Sequence, residues 1–138
     1  MKAKKIEDLS KNNVSLVDEK SLIAWGYQCE NEKSSKSKQI LEKIYKRKEN
    51  TDDEPTVIIL KDNKIVHKIW TEYGMVSRLN GLPADILYDE NGYFDANWYL
   101  YGKNINDYIA FMCLKRKKDR WSINEDDIAY IIDFFKMK

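Results

Sequence analysis

The chain is predicted to fold as an α+β domain, a central antiparallel β-meander flanked by N-terminal and C-terminal helices. Three observations lead there. Residues 70–103, from Trp70-Thr-Glu-Tyr-Gly74 to Trp98-Tyr-Leu-Tyr-Gly-Lys103, alternate short β-prone runs with turn residues. Thr56-Val-Ile-Ile-Leu60 is a continuous, largely β-branched run of the kind a buried strand needs. Beyond Asn104, apolar residues recur at i, i+3, i+4 and i+7, the period of an amphipathic helix. At 138 residues the chain suits a single domain spanning 1–138, long enough to bury roughly two-thirds of its unfolded surface.

Residues 1–50 are expected to be a helical N-terminal region. In Ser15 to Gly26, Asp18 is placed to cap a short helix and Gly26 to end it. A second helix is expected over Ser34–Lys48, where Ile40, Leu41, Ile44 and Tyr45 share one helical face. The acidic loop Asn50 to Pro55 separates this region from the meander, residues 56–103. Lys61-Asp-Asn-Lys64 and Glu72-Tyr-Gly74 read as turns. Asp89-Glu-Asn-Gly92 is the strongest hairpin signal, because Asn91-Gly92 supplies the positive φ angles of a tight primed turn. Phe94, Trp98 and the even positions are expected to face the helices, since successive strand residues point to opposite faces.

Two helices are expected over residues 104–138. Asn104 is placed to cap the first, whose stripe is Ile105, Tyr108, Ile109 and Met112. Ser122-Ile-Asn-Glu125 reads as a capping box for the second, striped by Ile128, Ile131, Ile132 and Phe135.

Composition narrows function. Lys+Arg number 24 against Asp+Glu 23, a formal charge of +1, so no global field draws the protein to nucleic acid or an anionic membrane. Two widely spaced cysteines do not make a disulfide framework. The basic start carries no apolar run behind it, and no segment is long enough to span a bilayer. A cytoplasmic protein without a membrane partner is expected.

Catalysis has little to work with. His67, the sole histidine, sits in a strand pattern, and one His with two distant Cys lacks zinc-ligand spacing. Asp126 and Asp127 are explained by a helix start, and no P-loop, dinucleotide fingerprint or EF-hand appears. The expectation is no enzyme, no metal and no cofactor.

Two binding surfaces are candidates. A tyrosine row, Tyr93, Tyr99 and Tyr101, together with Arg78, would suit a protein partner, since tyrosine buries much area at small entropic cost. The alternative is nucleic acid, bound by Lys115, Arg116, Lys117, Lys118 and Arg120 with Trp121 as a stacking face. A second basic region, Lys33 to Lys48, could reinforce it.

The meander also resembles a repeat of phage, giant-virus and bacterial proteins, related to the MORN and YwqK-type antitoxin repeats. The residues that carry the resemblance are Trp70, Gly74, Arg78, Leu82, Pro83 and Ala84, then Tyr88, Gly92, Trp98, Tyr99, Gly102 and Lys103. One copy is complete, and Trp98 to Lys103 begins another; Ser77 stands where such repeats usually carry His. The resemblance implies a β-meander, a phage or mobile-element origin and work by binding. A host or anti-phage defence protein inhibited by steric occlusion would then be the partner.

Overall fold

The computed structural model describes residues 19–34, 41–49, 53–89 and 91–135. A short helix α1 (Glu19–Ala24) precedes strands β1 (Gln28–Ser34), β2 (Leu41–Lys46), β3 (Val57–Lys61) and β4 (Lys64–Ile69). A small hairpin of β5 (Thr71–Glu72) and β6 (Met75–Val76) follows, then β7 (Asp85–Tyr88) and β8 (Phe94–Asn97). A second small hairpin, β9 (Tyr99–Leu100) and β10 (Lys103–Asn104), leads to helices α2 (Asn106–Arg116) and α3 (Glu125–Phe134). The main sheet has six strands in the order β1-β2-β3-β4-β7-β8, every pair antiparallel. The α+β meander with flanking helices is therefore present.

The N-terminal zone departs from expectation. Leu41–Lys46, read as the heart of a helix, is β2, bonded between β1 and β3. Its apolar spacing fits a helix in isolation, but two flanking strands satisfy its backbone groups, so tertiary pairing overrides local preference. β1 is too polar to announce itself. In α1 the chain does turn out of the helix at Gly26, φ +95°; Asp18 lies outside the described residues.

Strand register shows where the core lies. Tyr45, Ile58, Lys68, Ile86 and Ala96 are successive cross-strand partners over five strands, and all are buried. The row beside it, Ile44, Ile59, His67, Leu87 and Asp95, is half-buried to exposed. The sheet is thus covered on one face and open on the other. Lys68 joins the core row because Val66 is an extra residue between the pairs Ile59–His67 and Leu60–Ile65, a bulge that resets the alternation. Leu22 and Tyr27 complete the core over β2, β3, β4 and β7. Trp98, Ile105, Ile109, Met112, Ile123, Ile128 and Ile131 build a second core with the C-terminal helices, and Phe94 packs against both. The even positions Ala96, Trp98 and Leu100 do face the helices.

The small hairpins are copies of one unit. Trp70-Thr-Glu-Tyr73-Gly74 and Trp98-Tyr-Leu-Tyr101-Gly102 share the pattern W-x-x-Y-G. In each, Tyr and Gly take positive φ (54° and 75°, 50° and 84°) and form the whole loop between paired residues. That is the primed geometry a two-residue hairpin needs. In each, the residue seven positions after Trp donates its amide to the Trp carbonyl: Ser77 to Trp70 at 3.0 Å, Ile105 to Trp98 at 2.8 Å. Asp62 and Asn63, both at positive φ, make a third such turn between β3 and β4.

Two other expectations shift. The loop after Tyr88 is wider than a two-residue primed turn: Asp89 and Tyr93 still bond, and Gly92 alone among the described loop residues has positive φ. The capping box lies two residues later than expected, with Asn124 and Asp127 exchanging side-chain and backbone bonds, because residues 120–122 form a 3₁₀ turn. At α2 the N-cap is Ile105 rather than Asn104; Asn104, one residue earlier, accepts the amide of Asn106, the first helical residue, at 3.0 Å.

Candidate functional site

Loop 77–84, between the first small hairpin and β7, folds around Arg78. Its Nε and Nη2 donate to the two Asp53 carboxylate oxygens at 3.0 and 2.8 Å, and Nη1 donates to the Pro83 carbonyl at 2.9 Å. The guanidinium carbon stands 3.9 Å over the Trp70 ring, whose Nε1 donates to the Asp53 carbonyl at 2.9 Å. Asn80 adds a bond to the same carboxylate and accepts the Leu82 amide. Trp70, Arg78, Leu82 and Pro83 are thus spaced as they are because one clamp needs them all. Arg78 pairs with a carboxylate and caps a carbonyl. It is 4% exposed, so as a partner-contacting residue it is corrected: its guanidinium is buried and bonds Asp53 and the Pro83 carbonyl inside the fold. Burial pulls its pKa down, and Asp53 opposes that pull.

A cleft of about 490 Å³ opens beside this clamp, walled by Glu49, Glu54, Glu72, Ser77 and Glu125 as well as Asp53 and Arg78. Glu49 is fixed by the Tyr73–Gly74 turn, accepting both amides at 2.9 Å and the Thr71 hydroxyl at 2.6 Å. Chiefly the Thr71 bond, then the Gly74 amide, holds its carboxyl below the ordinary value. Glu72 behaves oppositely: burial first, then repulsion from Glu49, raises its carboxyl, although the Leu79 amide resists. Ser77 is 1% exposed, and its Oγ has no hydrogen-bond partner among the described residues.

The tyrosine row does not assemble. Tyr93 is 74% exposed, but Tyr99 packs against the core of the main sheet and Tyr101 against that of the C-terminal helices. The reason is that β8 stops at Asn97; Tyr99 and Tyr101 belong to the second small hairpin, where a positive φ at Tyr101 breaks strand alternation.

The basic segment is largely committed within the fold. Arg116 and Lys118 bond the two oxygens of the fully buried Asp127 at 2.8 and 2.5 Å. Burial raises that carboxyl's pKa, but Lys118, the Asn124 amide and Arg116 outweigh it and hold the group below its ordinary value. Trp121 packs against Trp98 and Phe94 at ring-centroid distances of 5.4 and 5.7 Å, and Arg120 covers it at 4.4 Å. Lys115 lies 5.6 Å over Tyr130, while Lys117 is the exposed left-handed C-cap of α2.

Sequence reasoning missed an aromatic surface at the end of the helix pair. Phe111, Leu114 and Phe134 are exposed, Leu114 at 82%. Phe134 stacks on Tyr130 and edges Phe135, which in turn stacks on Tyr108 and edges Phe111. Lys103, Lys115 and Arg116 fringe the patch through contacts with Tyr108 and Tyr130. The signal was available: Phe111, Leu114 and Phe134 are large apolar residues outside the buried stripes.

His67 lies on the open sheet face, where its Nε2 contacts Asp85. Asp85 is bonded by Asn97, Asn97 by Asn106, and Asn106 accepts the Trp98 amide, a polar chain that ties sheet to helix. Among the described residues no three His, Cys, Asp or Glu are placed to hold a metal, both cysteines are free thiols, and no helix is long and apolar enough to cross a membrane. No family model, curated protein or solved structure matches the chain.

Proposed function

We propose that this chain is a non-enzymatic binding factor that docks the aromatic end of α2 and α3 onto an acidic, partly apolar surface of a partner protein. The observation that carries this is the run of ring contacts from exposed Phe111 through Phe135 to exposed Phe134 and Tyr130, with Lys115 and Arg116 over Tyr130 and Leu114, 82% exposed, on the same helix as Phe111. Contiguous apolar side chains of this size cost free energy in water and mark interaction surfaces. The cationic fringe selects a partner of opposite charge and speeds encounter. The mechanism is steric: the helix pair is preformed on a packed core and blocks whatever it covers. The likeness of residues 70–103 to phage repeats favours a host or defence protein in the host cytoplasm as that partner. Nucleic acid is the weaker reading, since Lys118 bonds the buried Asp127 and Trp121, the stacking face that reading needs, is packed against Trp98 and Phe94.

The test compares wild type with Leu114→Glu/Phe134→Glu in nuclease-treated affinity purification, with circular dichroism confirming that both fold. A stoichiometric acidic protein held by wild type and lost by the variant supports the reading. The same protein retained at full stoichiometry by the variant overturns it.

A further inference from the structure

We propose that the cleft beside the Trp70–Arg78 stack is a second binding site, one that takes the cationic side chain of a basic peptide. Its wall holds five carboxylates, Glu49, Asp53, Glu54, Glu72 and Glu125, against one guanidinium, Arg78, which Asp53 already occupies. The field inside is therefore strongly negative, and low-dielectric walls focus it. Glu72 shows the consequence, its ionised form disfavoured by burial and by Glu49; a bound cation would relieve both effects.

A second observation is independent of charge. Ser77 forms part of the same wall, is 1% exposed, and its Oγ lacks any partner among the described residues. Buried hydroxyls are normally satisfied; among the described residues Ser77 and Tyr88 carry the two that are not, and of these Ser77 lines the cleft. The ligand class follows from geometry. No three carboxylates among the described residues are grouped to hold a metal ion, and about 490 Å³ accommodates an extended side chain rather than a bare ion. Tyr73, 82% exposed, lines the same cleft, and an aromatic ring there suits a cation. Charge-assisted bonds to carboxylates favour guanidinium or ammonium over any neutral group.

The experiment is an NMR amide titration of the full chain with acetyl-Gly-Arg-Gly-amide, its Lys analogue and its citrulline analogue. Saturable shifts at Thr71, Ser77, Asn80 and the Trp70 indole are expected with Arg or Lys, at least about tenfold weaker with citrulline. Glu72→Gln/Glu125→Gln should weaken Arg-peptide binding by about tenfold while the spectrum stays folded, and Ser77→Ala should weaken it less. Equal binding of citrulline, unsaturated shifts up to about 10 mM, or shifts centred away from the cleft would each overturn the proposal. It stands apart from the helix-end surface, so Leu114→Glu/Phe134→Glu should leave this titration unchanged.

Discussion

The Arg78 guanidinium carbon lies over the Trp70 ring, 3.9 Å from its centroid, while the same group grips both Asp53 carboxylate oxygens. Only a planar, delocalised cation can stack and fork at once. Arg78→Lys keeps the charge and loses both, so it should lower unfolding free energy by about 2 kcal/mol. A double-mutant cycle with Asp53→Asn should give a coupling of about 1–3 kcal/mol by denaturant unfolding. Additive effects would show that the pair does not hold the loop.

Of Gly26, Gly74, Gly81 and Gly102, Gly81 leaves the least room for a side chain. It has φ +92°, and a Cβ there would sit 2.4 Å from the Ile123 carbonyl oxygen and 2.7 Å from the Asn124 Cα. Its own carbonyl accepts the Trp98 indole at 3.0 Å. Gly81→Ala should therefore cost about 3 kcal/mol. Gly26→Ala, at a similar φ but with nothing within 4 Å, should cost only backbone strain, about 1 kcal/mol. Equal melting temperatures for the two variants would contradict the packing of loop 77–84 on the start of α3.

Asp127 links acid stability to the C-terminal helices. Its folded-state pKa lies below the ordinary value of 3.8, so its stabilisation is complete above that value and disappears as pH falls through the depressed one. Asp127→Ala should lose about 2 kcal/mol at neutral pH, from the ion pairs and the cap together. The gap to wild type should narrow below about pH 4; a constant gap down to pH 2 would exclude the ionised form as the cause.

Glu72 has the opposite sign. Its folded pKa is raised above 4.5, so the folded state binds the proton more tightly and this group's contribution falls as pH rises through that region. Glu72→Gln should melt modestly higher than wild type at pH 7 and level with it near pH 4. A variant that melts lower at pH 7 would mean that the Leu79 amide bond matters more than desolvation.

The β-zone, the one-sided burial of Ala96, Trp98 and Leu100, and the stripes of both C-terminal helices were legible because each is a local periodicity. The clamp was half legible: the spacing of Trp70, Arg78 and Pro83 pointed to a structural unit, but nothing marked Asp53, in a distant acidic loop, as its centre. The W-x-x-Y-G copy was in plain view and identifies both small hairpins.

What the chain alone determined is the order of its elements from Thr56 onward and the inward side of β8 and of the two C-terminal helices, since alternation and helical period are written in neighbouring residues. Tertiary structure decided that Leu41–Lys46 is a strand, that Arg78 is buried, that the three tyrosines part company, and that Phe111 and Phe134 join one aromatic surface through Phe135. Each of those outcomes depends on partners far away in sequence. A strand's hydrogen bonds, a clamp's counter-ion and a patch on two helices exist only once the chain has folded back on itself.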